Sequence, residues 1–165
     1  MCRAYLEAEH LARRALDLQP DYLLGLMMLG MSLTSTSREA EAIPVVERAV
    51  ALSRASLFVG MLGTVYGIAG RTDDLTQLEH ELEERCSRRE YVTPASFVLF
   101  GVGRGDGALI RCALEDCVAD HMPFTSLRIV GGPFLDTWRT DVTIDELLQR
   151  LGDGVPPPEA TKTRP

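Results

Sequence analysis

Apolar residues recur at i, i+3, i+4 and i+7 over most of this chain, with polar residues filling the positions between. That spacing lays one apolar stripe along a helix rather than one face of a strand. It predicts helices at about 3–18, 22–35, 38–53, 56–69, 72–89, 93–102 and 106–121. A further stripe, Ile144, Leu147, Leu148 and Leu151, predicts a short closing helix with Asp141 or Thr143 as its cap and Gly152 as its end. Ser37 reads as an N-cap, and Thr72 with Asp73 starts a helix in the same way. Pro44 falls inside the third segment, where the missing N–H predicts a bend near Ile43. From Asp153 the pattern stops, and Pro156, Pro157 and Pro158 predict a disordered or polyproline-like tail over 153–165.

The stripes repeat. Gly30 and Gly63 lie 33 residues apart, each preceded by Leu, and Leu33 and Tyr66 follow at the same interval. Ser37, Gly70 and Gly103 continue it, as do Ala42, Leu75 and Ala108, while Ala8 and Ala15 match Ala42 and Ala49 at a spacing of 34. Each unit is about two helices long. A unit of this size cannot cover its own apolar face, so several must stack into a continuous core.

The offsets resemble those of the tetratricopeptide repeat (TPR) family. They hold Leu26, Leu29, Gly30, Leu33, Ser37, Ala42, Val46 and Ala49 in one unit, then Val59, Leu62, Gly63, Tyr66, Gly70, Leu75, Glu79 and Leu82 in the next. A third unit carries Val92, Ala95, Ser96, Leu99, Gly103, Ala108, Cys112 and Glu115. Trp138-Arg139-Thr140-Asp141 followed by Ile144 to Gly152 resembles the closing segment of TPR arrays in bacterial winged-helix regulators, Ser/Thr kinases and adenylate cyclases. His121-Met122-Pro123-Phe124 is similar to the link that precedes it. The resemblance implies an all-α fold, a right-handed α-solenoid of antiparallel helix pairs with about 3.5 repeats and a capping helix. Its divisions are a half repeat at 1–20, repeats at about 21–54, 55–88 and 89–121, and a closing segment at 122–152. Trp138 is expected to plug the cap. Because the chain opens on the second helix of a unit, a piece of a longer regulator, or an end that docks on something else, is expected.

In TPR arrays the concave face comes from the first helix of each unit. Carried onto this chain, that groove is lined by Leu24, Met27, Met31, Thr34, Leu57, Gly60, Thr64, Gly67, Glu90, Thr93, Phe97 and Phe100. The Lys, Arg and Asn of carboxylate-clamp arrays are absent from these positions. An amphipathic helix or apolar peptide is therefore the expected partner. The alternative is that these side chains pack on a neighbouring repeat, the cap or an upstream helix.

Composition narrows the function classes. The 165 residues carry 17 Lys plus Arg against 24 Asp plus Glu, a net charge of -7 that lacks the basic footprint of nucleic-acid or anionic-membrane binding. Two uncharged stretches of 16 residues, 22–37 and 55–70, are shorter than a membrane span and carry Ser, Thr and Gly at intervals suited to close helix packing. Cys2, Cys86, Cys112 and Cys117 form no C-x-x-C pair, and no signal peptide opens the chain, so a cytoplasmic protein with free thiols is expected. Gly101 to Gly107 is glycine-rich but follows a helix rather than a strand, which argues against a phosphate loop. Cys117 and His121 are spaced i, i+4 with Cys112 nearby, yet no four-ligand metal set is visible. No catalytic residue, cofactor or metal is expected. The function expected is a non-enzymatic protein-interaction or sensory module of a bacterial signalling or transcriptional regulator. Alternatives are the regulatory C-terminal region of a kinase or cyclase, and a self-associating scaffold.

Overall fold

The computed structural model describes residues 2–122 and 134–153, and within these the fold is all-helical. The helices are α1 (Cys2–Leu18), α2 (Leu23–Thr34), α3 (Glu39–Leu52), α4 (Ser56–Ile68), α5 (Thr72–Ser87), α6 (Pro94–Arg104), α7 (Gly107–Ala119) and α8 (Val142–Leu148). A single turn at Asp136–Trp138 precedes α8, and a wide turn at Gln149–Asp153 follows it. Each predicted helix is found within a few residues of its expected bounds. Pro123 and Phe124 of the expected link, and the tail beyond Asp153, lie outside the described residues.

Two kinds of helix alternate. α2 and α4 are apolar nearly all round, and every residue from Leu29 to Thr34 and from Val59 to Tyr66 is buried. α3, α5 and α7 bury a single stripe each, such as Ala42, Val46, Ala49 and Val50 on α3. A helix hydrophobic on all sides belongs in the middle, and an amphipathic one belongs outside. Each fully buried Leu or Phe of the core contributes about 1.5–3 kcal/mol of transfer free energy.

The helix ends share one closure. Arg38 N donates to Leu33 O, Arg71 N to Tyr66 O, Glu90 N to Arg85 O, Asp106 N to Gly101 O and Met122 N to Cys117 O. Each bond spans a residue with positive φ: Ser37, Gly70, Arg89, Gly105 and His121. This arrangement satisfies carbonyls left over at a helix C-terminus. Two expectations are corrected by it. Ser37 is not an N-cap; at φ 57° it is the left-handed residue that ends α2. The 33-residue interval aligns Gly103 with Gly70 and so predicts the left-handed turn there, but that role falls to Gly105, and Gly103 stays inside α6. Thr72 likewise sits within the first turn of α5 behind Arg71 and makes no cap, while Asp73 and Asp74 favour the helix N-terminus by their charge.

Consecutive helices pack on one another, with one departure: α6 lies principally against α4, with little contact to α5. Glycine makes the approach possible. A Cβ on Gly60 would stand 2.8 Å from the Ser96 Cα, one on Gly103 would stand 2.7 Å from the Gly63 oxygen, and Gly67 meets the backbone of Gly103. The Phe100 ring lies over Gly63. Beyond α7, Ile144, Leu147 and Leu148 close a second apolar cluster with Ile110, Leu114 and Cys117. Asp141 caps α8 by accepting from Thr143 N and Ile144 N, and it pairs with Arg111 of α7. Trp138 is half-buried against the same cluster and over Gly107. Gly152, at φ 103°, ends the wide turn.

Candidate functional site

The α4–α6 contact decides the fate of the expected groove. Gly60, Thr64 and Gly67 project from the face of α4 on which α6 lies, and the Thr64 hydroxyl donates to Leu99 O at 2.9 Å. Phe100 is fully buried by the same contact. On α2, Met27, Met31 and Thr34 are also buried, and the Thr34 hydroxyl donates to Gly30 O within its own helix. Thr93 is buried, its N–H donating to Ser56 Oγ and its hydroxyl to the Met122 sulfur. Leu57 and Phe97 remain half-buried, bridging the two apolar clusters, and Leu24 alone of the nine apolar or Thr positions in this set is exposed, at 43%. The structure thus gathers most of these residues into the core rather than along an open channel.

Among the described residues, three exposed leucines gather on α1. Leu6, Leu11 and Leu18 of α1 are 54%, 56% and 90% exposed. Ala8 and Ala15 beside them are half-buried, whereas their repeat counterparts Ala42 and Ala49 are fully buried in α3. The difference follows from neighbours: α3 has α2 on one side and α4 on the other, and α1 packs on α2. The 34-residue match of Ala8 and Ala15 to Ala42 and Ala49 was the sequence signal for this face.

On its inner side α1 is held by charge. Glu9, only 11% exposed at its side chain, accepts from Arg13 within α1 and from Arg38 at 2.9 Å, and Arg38 also holds Glu41. Hydrogen bonding to Arg13, with that to Arg38, holds the Glu9 carboxyl below its ordinary value, and Arg38 does the same for Glu41. Further along, the Tyr66 hydroxyl donates to Glu47 at 2.7 Å, and Arg71 lies 4.4 Å over the Tyr66 ring. Burial, then the Glu47 hydrogen bond, pushes the Tyr66 phenol up to about 12. The Tyr5 phenol is raised by burial and, to a lesser extent, by the negative charge of Asp136.

The chemistry-bearing residues do not converge. Cys117 is buried and its thiol is pushed up to about 12, chiefly by burial, so it stays protonated and unreactive at neutral pH. His121 is exposed beyond the end of α7, so the i, i+4 spacing with Cys117 brings no shared face. No cluster of three or more His, Cys, Asp or Glu able to hold a metal ion occurs among the described residues, and no helix among them is long and apolar enough to cross a membrane. An open depression of about 460 Å³ lies between the end of α7 and the closing turn, lined by Val118, His121, Met122, Arg150 and Leu151. No protein-family model, no curated protein and no solved structure matches the chain.

Proposed function

We propose that this chain is a non-catalytic protein-interaction module, a TPR-like helical array of a signalling or regulatory protein, whose docking surface is the outer face of α1. One observation carries the reading: the exposed leucines Leu6, Leu11 and Leu18 lie on a regular, well-anchored helix, and Leu24 follows at the start of α2. Leu11 and Leu18, seven residues apart, share one side of the helix and offer a partner helix an i, i+7 pair of apolar contacts. The partner is an amphipathic helix or apolar segment, as the sequence suggests, but it meets the exposed face of α1 and not the buried positions of the expected groove. The repeat spacing and the closing segment supply the TPR-like and regulatory part of the proposal.

The test is site-specific photocrosslinking in the native cell. A photoreactive amino acid at Leu18 should trap a protein adduct, and the same group at Gln77 on the polar side of α5 should not. Absence of any adduct at Leu18, or equal capture at both positions, would overturn the assignment.

A further inference from the structure

We propose that two copies of this chain pair through an antiparallel contact between their α1 helices; this rests on the outer face of α1 being the docking surface. Leu11 and Leu18 are seven residues apart and so share one side of the helix, with Ala8 and Ala15, also seven apart, next to them. The fold itself displays what such an alanine pair does once covered: Ala42 and Ala49 are completely buried between neighbouring helices. A helix laid against Ala8 and Ala15 can approach as closely, and the flanking leucines then bury against it.

Charge selects a second copy as that helix. Glu7 and Arg14 flank the leucines on the side away from the alanines, both exposed. Neither takes part in an ion pair among the described residues, whereas Arg13, Arg38, Glu9 and Glu41 satisfy one another. Glu7 lies four residues before Leu11 and Arg14 three after it. Two α1 helices running antiparallel about a two-fold axis near Leu11 place each Glu7 opposite the Arg14 of the other copy. Parallel helices would set Glu7 on Glu7 and Arg14 on Arg14. The face is thus self-complementary in one orientation only, which is the requirement of an isologous dimer.

Sedimentation equilibrium of the 165-residue chain over a range of concentrations reads the association directly. A monomer–dimer equilibrium is expected, abolished by Leu11→Glu with Leu18→Glu while the helical circular dichroism is retained. Glu7→Arg alone should weaken the dimer roughly threefold to tenfold, and Glu7→Arg with Arg14→Glu should restore it. A wild-type chain that stays monomeric, a dimer indifferent to the leucine changes, or a double charge reversal that fails to restore pairing each overturns the proposal. The crosslink at Leu18 separates this from the broader reading. An adduct of twice the chain's mass supports self-pairing, and an adduct with another protein alone overturns self-pairing while leaving α1 the docking surface.

Discussion

The first and the last described helix treat their apolar residues in opposite ways. At the C-terminal end α8 lays Ile144, Leu147 and Leu148 onto α7, and Asp141 both caps α8 and ties it to Arg111. At the N-terminal end α1 buries Ala12 and holds Glu9 against Arg38, yet turns Leu11 and Leu18 outward. α8 uses Ile144, Leu147 and Leu148 to cover α7, and α1 keeps its leucines exposed. An exposed apolar face of that kind is where a partner gains most by binding.

Substitutions can break or sharpen that contrast. The largest effect should come from Leu148→Ala, which empties a fully buried site in the closing cluster and should cost about 2–5 kcal/mol in urea denaturation; a cost below about 0.5 kcal/mol would show that α8 is not integral to the fold. Next is Gly152→Ala. Space is open around Gly152, but its φ of 103° disfavours any side chain, so about 1 kcal/mol should be lost. Acid should loosen both ends, each through its own carboxylate. Glu9 and Asp141 are held below their ordinary values of 4.5 and 3.8, Glu9 mainly by Arg13 and Asp141 mainly by the Ile144 N–H. Their contribution is present above those values and lost as pH falls through the lower folded ones. Glu9→Gln should flatten the acid limb for α1 exchange, and Asp141→Asn should do so for α8, by hydrogen exchange between pH 5 and pH 2; the reverse assignment would contradict the pairing. The smallest change should follow Leu11→Ser with Leu18→Ser, within about 0.5 kcal/mol of wild type. A large loss there at a concentration low enough to keep the chain monomeric would mean that these leucines already pack within the chain.

Helix positions were legible because periodicity is local. The stripe through Ala42, Val46 and Ala49 forces α3 whatever lies around it, and Ile144, Leu147 and Leu148 force the closing helix. Turn chemistry was only half legible. Gly70 could be recognised as the left-handed residue, but Ser37, Arg89 and His121 adopt the same conformation without the residue type that signals it. The groove was misleading for a longer-range reason. Whether Thr64 and Phe100 face solvent depends on where α6 crosses α4, and that crossing is set by the matching of Gly60, Gly63 and Gly67 with Ser96 and Gly103 across more than thirty residues of chain. The glycines were visible one by one; their mutual fit was not. The α1 face was half legible: the spacing matches Ala8 to Ala42 and raised an end that docks, but which α1 residues stay exposed is set by packing.

In mechanical terms, the glycine crossing is a clamp. Side chains that interdigitate can change rotamer and let two helices slide, but backbone resting on backbone has no rotamer to change. α4 and α6 must therefore move together, carrying α7 and α8 with them as one lever. No glycine of α2 meets α4 in this manner, so the backbone-on-backbone clamp lies on the α4–α6 side and not beside α1.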